Sequence, residues 1–152
     1  MSQSADTSLS NRLEMSLKAE GGQEEILVGS DFYPSGDEAG AWVTVYFGGA
    51  DQLIVRTKGL LKPGPYQVEI GDEYPVRIFF NHHGSNGAGV GAGAGYGYEG
   101  SGFMVIDEYV MDPPRLLIKG SFDVSLLDHQ THEKKWRAKS DNFRFSKGLG
   151  NY

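Results

Sequence analysis

Residues 115–127 read RLLIKGSFDVSLL, and the reading of this run decides the fold. Leu116, Ile118, Gly120, Phe122, Val124 and Leu126 fall on one side of an extended chain. Leu117, Lys119, Ser121, Asp123, Ser125 and Leu127 fall on the other. Strand side chains alternate between faces, so this period of two predicts a strand with one buried face. The run is long for a single strand, and Gly120 at its middle predicts a bulge or bend.

Working outward, Gly102–Val110 alternates in the same way, with Phe103, Val105, Asp107 and Tyr109 against Met104, Ile106, Glu108 and Val110. Pro113-Pro114 marks the turn between these two strands. After the loop Asp128–Glu133, Lys134–Phe145 closes the sheet, with Trp136, Ala138, Phe143 and Phe145 as inward candidates. Towards the N-terminus, Arg12–Ala19 places Leu13, Met15, Leu17 and Ala19 on one face. Glu25–Val28, Ala41–Phe47, Gln52–Lys58, Tyr66–Ile70 and Tyr74–Asn81 supply further strands, rich in β-branched and aromatic residues. Gly48–Asp51 has the length of a hairpin connection. The Pro, Gly and Asp content of Ser30–Gly40 predicts a loop, whose Asp31, Asp37 and Glu38 are oxygen donors without EF-hand spacing. Gly or Pro interrupts most windows long enough for a helix. About nine or ten short strands predict an all-β protein, a single antiparallel β-sandwich with a barrel as the alternative. The domain is expected over residues 12–146, after a disordered leader at 1–11 and before a short tail at 147–152.

Residues 53–70, LIVRTKGLLKPGPYQVEI, resemble a strand, a Gly-Pro turn and a second strand of GxYxL type. Residues 100–109, GSGFMVIDEY, and 116–145, LLIKGSFDVSLLDHQTHEKKWRAKSDNFRF, resemble a GSGxVxIxxY…IxGxFxFxLxD…xGxF pattern. Together these segments are similar to the uncharacterised β-sandwich domains of Bacteroidetes-type surface lipoproteins. Asp141-Asn142 stands where that pattern has a glycine. The resemblance implies a sandwich and an envelope or extracellular binding role, and it carries over no catalytic residue.

Composition removes several functions. The net charge of −6 disfavours nucleic acid, whose phosphates need a basic face. The basic residues Lys134, Lys135, Arg137, Lys139, Arg144 and Lys147 cluster near the C-terminus, where they read as a solvated strand face. With no cysteine, disulfides, thiolate catalysis and Cys-type zinc sites are excluded. No run approaches the ~18 apolar residues of a membrane span. The first residues, MSQSADTSLS, lack the basic and apolar regions of a signal peptide. The compartment stays open: cytoplasmic if Met1 is the native start, exported or envelope if a signal was removed.

Gly84–Gly102, GSNGAGVGAGAGYGYEGSG, concentrates the glycines. It is expected to be a mobile loop at first, gaining strand character from Tyr96. Its G-x-G-x-x-G at Gly95–Gly100 precedes a strand rather than a helix, which removes the dinucleotide reading. Tyr33, Tyr96, Tyr98 and Trp136, with Phe32, are candidates for an aromatic platform on which a sugar ring or a peptide side chain stacks. His82 and His83 open the glycine-rich stretch, and His129 and His132 lie in the last loop. Imidazoles in two loops offer either ligand contacts or a metal-dependent enzyme site, should the loops meet. Asp107 and Asp123 are a candidate carboxylate pair across strands. The expected function is a non-enzymatic binding module for a carbohydrate or protein surface, with no cofactor, no metal and no catalytic residue assigned. An acidic inhibitor or immunity-type protein for a basic partner is the alternative.

Overall fold

The computed structural model describes residues 11–48, 51–81 and 97–148. Its strands are β1 (Glu14–Ala19), β2 (Glu24–Val28), β3 (Asp31–Asp37), β4 (Gly40–Tyr46), β5 (Gln52–Thr57), β6 (Gly64–Val68), β7 (Val76–Asn81), β8 (Tyr98–Asp112), β9 (Arg115–Asp128) and β10 (Lys134–Lys147). They form one 10-stranded sheet in the order β2-β1-β10-β9-β8-β6-β7-β5-β4-β3. The protein is all-β, as the alternation predicts. Sandwich and barrel meet in a single sheet curled into a half-barrel, with both halves of its inner face turned toward a shared core. Among the described residues there is no helix, and none that could cross a membrane.

Curling starts at Gly120, midway along β9. Asp107 is an extra residue in β8, between the pairs Ile106↔Gly120 and Glu108↔Lys119. On the other flank, Asp141-Asn142 breaks the register between Ser140↔Phe122 and Phe143↔Gly120. Bulges on both neighbours bend the ladder and increase its twist at this point. Gly120 lets the backbones close up, because a β-carbon there would lie 2.1 Å from the Val105 carbonyl oxygen. The Phe143 ring covers the bare position, its Cζ 3.2 Å from where that carbon would be.

The bulge at Asp107 also switches the face of β8. Met104 and Ile106 point into the core before it, and Tyr109 and Met111 pack against the core after it. The uninterrupted alternation expected for Gly102–Val110 is therefore corrected: Phe103 and Val105 are exposed, whereas Tyr109, expected on their face, packs against the core. Gly100 and Gly102 occupy inward positions, and a β-carbon on Gly102 would lie 2.3 Å from the Asp123 carbonyl oxygen.

The segment Ser30–Gly40 is likewise corrected from loop to strand, since β3 pairs along its whole length with β4. Pro34 is compatible with this because β3 is an edge, where a missing N–H breaks no central ladder. Asp37 works locally, its Oδ1 accepting the Ala39 N–H at 2.8 Å in the hairpin turn. The two edges of the sheet, β2 and β3, are joined by Gly29-Ser30 alone. Gly29 N–H donates to Leu13 O at 2.9 Å and Ser30 N–H to Tyr46 O at 2.7 Å, so this link is tied to both ends of the sheet. Across the seam Phe32 meets Phe145 at 6.3 Å, Phe145 stacks on Phe143 at 4.8 Å, and Phe143 meets Phe122 at 5.9 Å.

Gly120→Ala should destabilise the protein by about 3 kcal/mol, near the top of the ordinary range for single substitutions. Urea unfolding measures it, and a cost under about 0.5 kcal/mol would show that the bend does not need the bare backbone.

Candidate binding surfaces

The expected aromatic platform does not assemble. Tyr98 is only 6 % exposed and belongs to the core, because β8 pairs it with Phe80 and Asp128 on the inward face. Trp136 is half-buried and meets Tyr98 edge-on at 6.3 Å. Phe32 is half-buried at the seam. Tyr33 alone of the described candidates is a surface group, 59 % exposed. Tyr96, His82 and His83 lie outside the described residues.

Tyr33 has neighbours that the platform reading passed over. Ala41, Val43 and Val45 of β4 are buried, which turns Trp42, Thr44 and Tyr46 outward. The Tyr33 and Tyr46 rings meet edge to face at 5.8 Å, and a shallow depression of about 420 Å³ lies over Tyr33, Thr44 and Tyr46. Trp42 is exposed beside them, with the Arg56 guanidinium 4.6 Å above its ring. The alternation of AWVTVYF already carried this signal.

A directed chain of hydrogen bonds runs from this strip to the root of the glycine-rich stretch. Gly97 N–H donates to Asn81 Oδ1 at 2.7 Å. Asn81 Nδ2 donates to Gln52 Oε1 at 3.1 Å, and Gln52 Nε2 donates to the Tyr46 hydroxyl at 3.1 Å. Tyr46, Gln52 and Asn81 are cross-strand neighbours in register, so the chain crosses three strands along one row. Each amide accepts on one side and donates on the other, so the Tyr46 oxygen accepts a hydrogen bond and its own O–H is left as a donor.

On the adjoining row, Glu99 is 1 % exposed and its Oε2 accepts from Arg77 at 2.8 Å. Arg77 also pairs with exposed Asp72 and lies 4.8 Å over the Phe79 ring. Every charge here has a partner, the condition under which a buried ion pair is tolerated. The arrangement therefore reads as a brace at the start of β8.

The remaining candidates separate. Asp123 is in register with Phe103 and Lys139, while Asp107 occupies the bulge, so the two are not a carboxylate pair. Asp123 instead forms a two-pronged ion pair with Arg137, at 2.9 and 2.6 Å. That hydrogen bonding holds the Asp123 carboxyl below the usual carboxylate range, against a smaller opposing effect of burial. In the last loop Asp128 Oδ1 accepts Gln130 N–H at 2.8 Å and Thr131 N–H at 3.0 Å. His132 takes a positive φ of 63° in the same turn, and no three His, Cys, Asp or Glu side chains converge among the described residues.

A second surface follows β1, β2 and β10. A groove of about 780 Å³ is lined by Arg12, Glu14, Ser16, Ile26, Val28 and Lys139, among others. Ile26 is 53 % and Val28 60 % exposed along it. Gly29 bonds to Leu13, and hydrogen-bonded pairs alternate along an antiparallel ladder, so Glu24, Ile26 and Val28 turn their N–H and C=O groups away from β1. This edge has no proline or bulge to blunt it, unlike β3.

Comparison with protein families, curated proteins and solved structures finds no match to the chain.

Two outcomes separate core from surface. Tyr98→Ala should cost about 3–5 kcal/mol in urea unfolding, as large aromatic truncations in cores do, and Tyr33→Ala under about 0.5 kcal/mol. In acid, the Asp123–Arg137 pair should weaken. Its carboxyl pKa is lowered on folding, so the stabilisation is complete above the unfolded value of about 3.9 and disappears as pH falls through the folded one. Stability against pH for Asp123→Asn should lack that component, a small one because both groups are solvated.

Proposed function

We propose that the protein is a non-enzymatic binding module whose ligand is a carbohydrate seated on Tyr33, Trp42 and Tyr46. The observation that carries this reading is the Tyr46 hydroxyl, whose oxygen accepts from an oriented amide chain beside the exposed rings of Tyr33 and Trp42. Sugars have apolar C–H faces that stack on aromatic rings and hydroxyls that take directed hydrogen bonds. Tyrosine and tryptophan supply such a surface at low entropic cost. The chain begins at Gly97, so ligand contact at Tyr46 is coupled through Asn81 to the base of the glycine-rich stretch.

A second reading is a protein partner that adds an extended segment to the open edge of β2, with apolar side chains on Ile26 and Val28. An acidic surface that neutralises a basic target is a variant of it, consistent with the net charge of −6.

Titrating a panel of soluble oligosaccharides into labelled protein, read by amide NMR shifts, distinguishes these readings. Binding should shift resonances of β3 and β4, and Tyr33→Ala or Trp42→Ala should weaken it about tenfold, or about 1.4 kcal/mol. Tyr46→Phe should cost about 1 kcal/mol, one hydrogen bond. Absence of any response on β3 and β4 sinks the carbohydrate reading. A protein ligand that shifts β2 and loses affinity on Ile26→Lys supports the second, and steep loss of its affinity with salt marks the acidic variant.

A further inference from the structure

On the outward face, beside the bend, one cross-strand row is unusual in charge. Glu108, Lys119, Arg144 and Arg12 follow one another on β8, β9, β10 and the residue leading into β1. Arg12 and Arg144 form a tight backbone pair, each N–H donating to the other's carbonyl at 2.8 Å. Their side chains therefore leave the sheet on one face, with β-carbons about 5 Å apart. Like charges directly opposite each other destabilise a sheet. Here three cations are adjacent, and the sole acid of the row, Glu108, lies 4.0 Å from Lys119 at the far end.

Arg144 is the centre of this row. It is 7 % exposed, and its Nε is buried with no hydrogen-bond partner. Arg12 cannot relieve it, since a guanidinium offers no acceptor, and its own Nη2 donates to Asn142 Oδ1 at 3.0 Å. Burial first, then the Arg12 charge, pull the Arg144 pKa below its usual value, against a weaker effect of Glu108. A buried guanidinium N–H without an acceptor is costly in any fold and is retained most readily where an anion completes it.

We propose that Arg144, flanked by Lys119 and Arg12, binds a phosphate group. The guanidinium fork matches phosphate oxygens, and flanking cations on two neighbouring strands serve the remaining oxygens of a tetrahedral anion. Arg12 and Asn142 also line the groove beside β2, so a phosphate on a larger ligand has room for the rest of that ligand.

The test uses the whole chain, with inorganic phosphate and glycerol 3-phosphate as probes at constant ionic strength. Amide NMR shifts should centre on residues 12, 119 and 144 and saturate, and the phosphate-induced rise in Tm over chloride should exceed that of Arg144→Met. Arg144→Met should still fold, because replacing a buried charge by an apolar side chain of similar length is often neutral or stabilising. Lys119→Met, at a more exposed position, should weaken binding at least threefold while leaving the fold intact. Tighter binding of the ester would make the site part of a larger ligand's seat, and tighter binding of the inorganic ion would make it an ion site. Equal responses in the wild type and both variants, or shifts confined to other regions, would overturn the proposal. Neither result depends on sugar binding at Tyr33.

Discussion

The close approach of β8 to β9 at Gly120 is the constraint on which the rest of the fold depends. With a side chain there, the Val105 carbonyl could not come so near. The bulges at Asp107 and Asp141-Asn142 add residues to both neighbouring strands, so the ladder turns at one level across three strands. That turn lets a single sheet enclose its own core. It also explains how β8 and β9, the longest hydrogen-bonded pair, serve both halves without a break in the chain.

Two consequences follow inside the half-barrel. The parity switch at Asp107 sends Tyr109 inward, where its hydroxyl meets Thr57 Oγ1 at 3.0 Å and Gly59 O at 3.3 Å. Thr57 Oγ1 in turn accepts the Ala41 N–H at 2.9 Å. A polar contact thus links β8 to β5 and β4 across the interior, and burial raises the Tyr109 pKa against the smaller opposing effect of its hydrogen bond to Thr57. At the seam the Phe32–Phe145–Phe143–Phe122 series fills the gap between the facing ends with aromatic bulk. Each of the three buried rings, Phe122, Phe143 and Phe145, contributes on the order of 2–3 kcal/mol by burial.

Outside, the surfaces are by-products of the same geometry. Joining the edges through Gly29-Ser30 leaves β2 with an open ladder and places Pro34 on the other edge. The β3–β4 hairpin turns Tyr33, Trp42 and Tyr46 to solvent because Val43 and Val45 are needed inside. The row from Tyr46 through Gln52 to Asn81 ends where the glycine-rich stretch begins, which connects the aromatic strip to the one segment of unusual composition. The cation row at Arg144 lies beside the bulge that bends β10.

The strands of this protein could be read from the sequence because alternation is a local property. Leu116 to Leu126, Leu13 to Leu17 and Val43 to Val45 each declare their buried face within a few residues, and the all-β class follows. Tyr33 entered instead as an aromatic of the expected Ser30–Gly40 loop, and the alternation of Ala41–Phe47 contained Trp42 and Tyr46 unread. Local reasoning failed where one residue changes parity or partner. Nothing local marks Asp107 as the extra residue that sets Tyr109 on the face opposite Phe103 and Val105, and the turn-forming composition of Ser30–Gly40 hides an edge strand that tolerates Pro34. Tyr98 looked like a ligand contact because it follows a run of glycines, whereas its pairing with Phe80 and Asp128 carries it into the core. Which strands neighbour one another, and therefore which charges and hydroxyls share a row, is set by long-range pairing whose register depends on bulges and on closure of the sheet. Sequence by itself determined the strands and most of their inward residues; only the tertiary structure decided the curl, the open edge and the rows of side chains on the outer face.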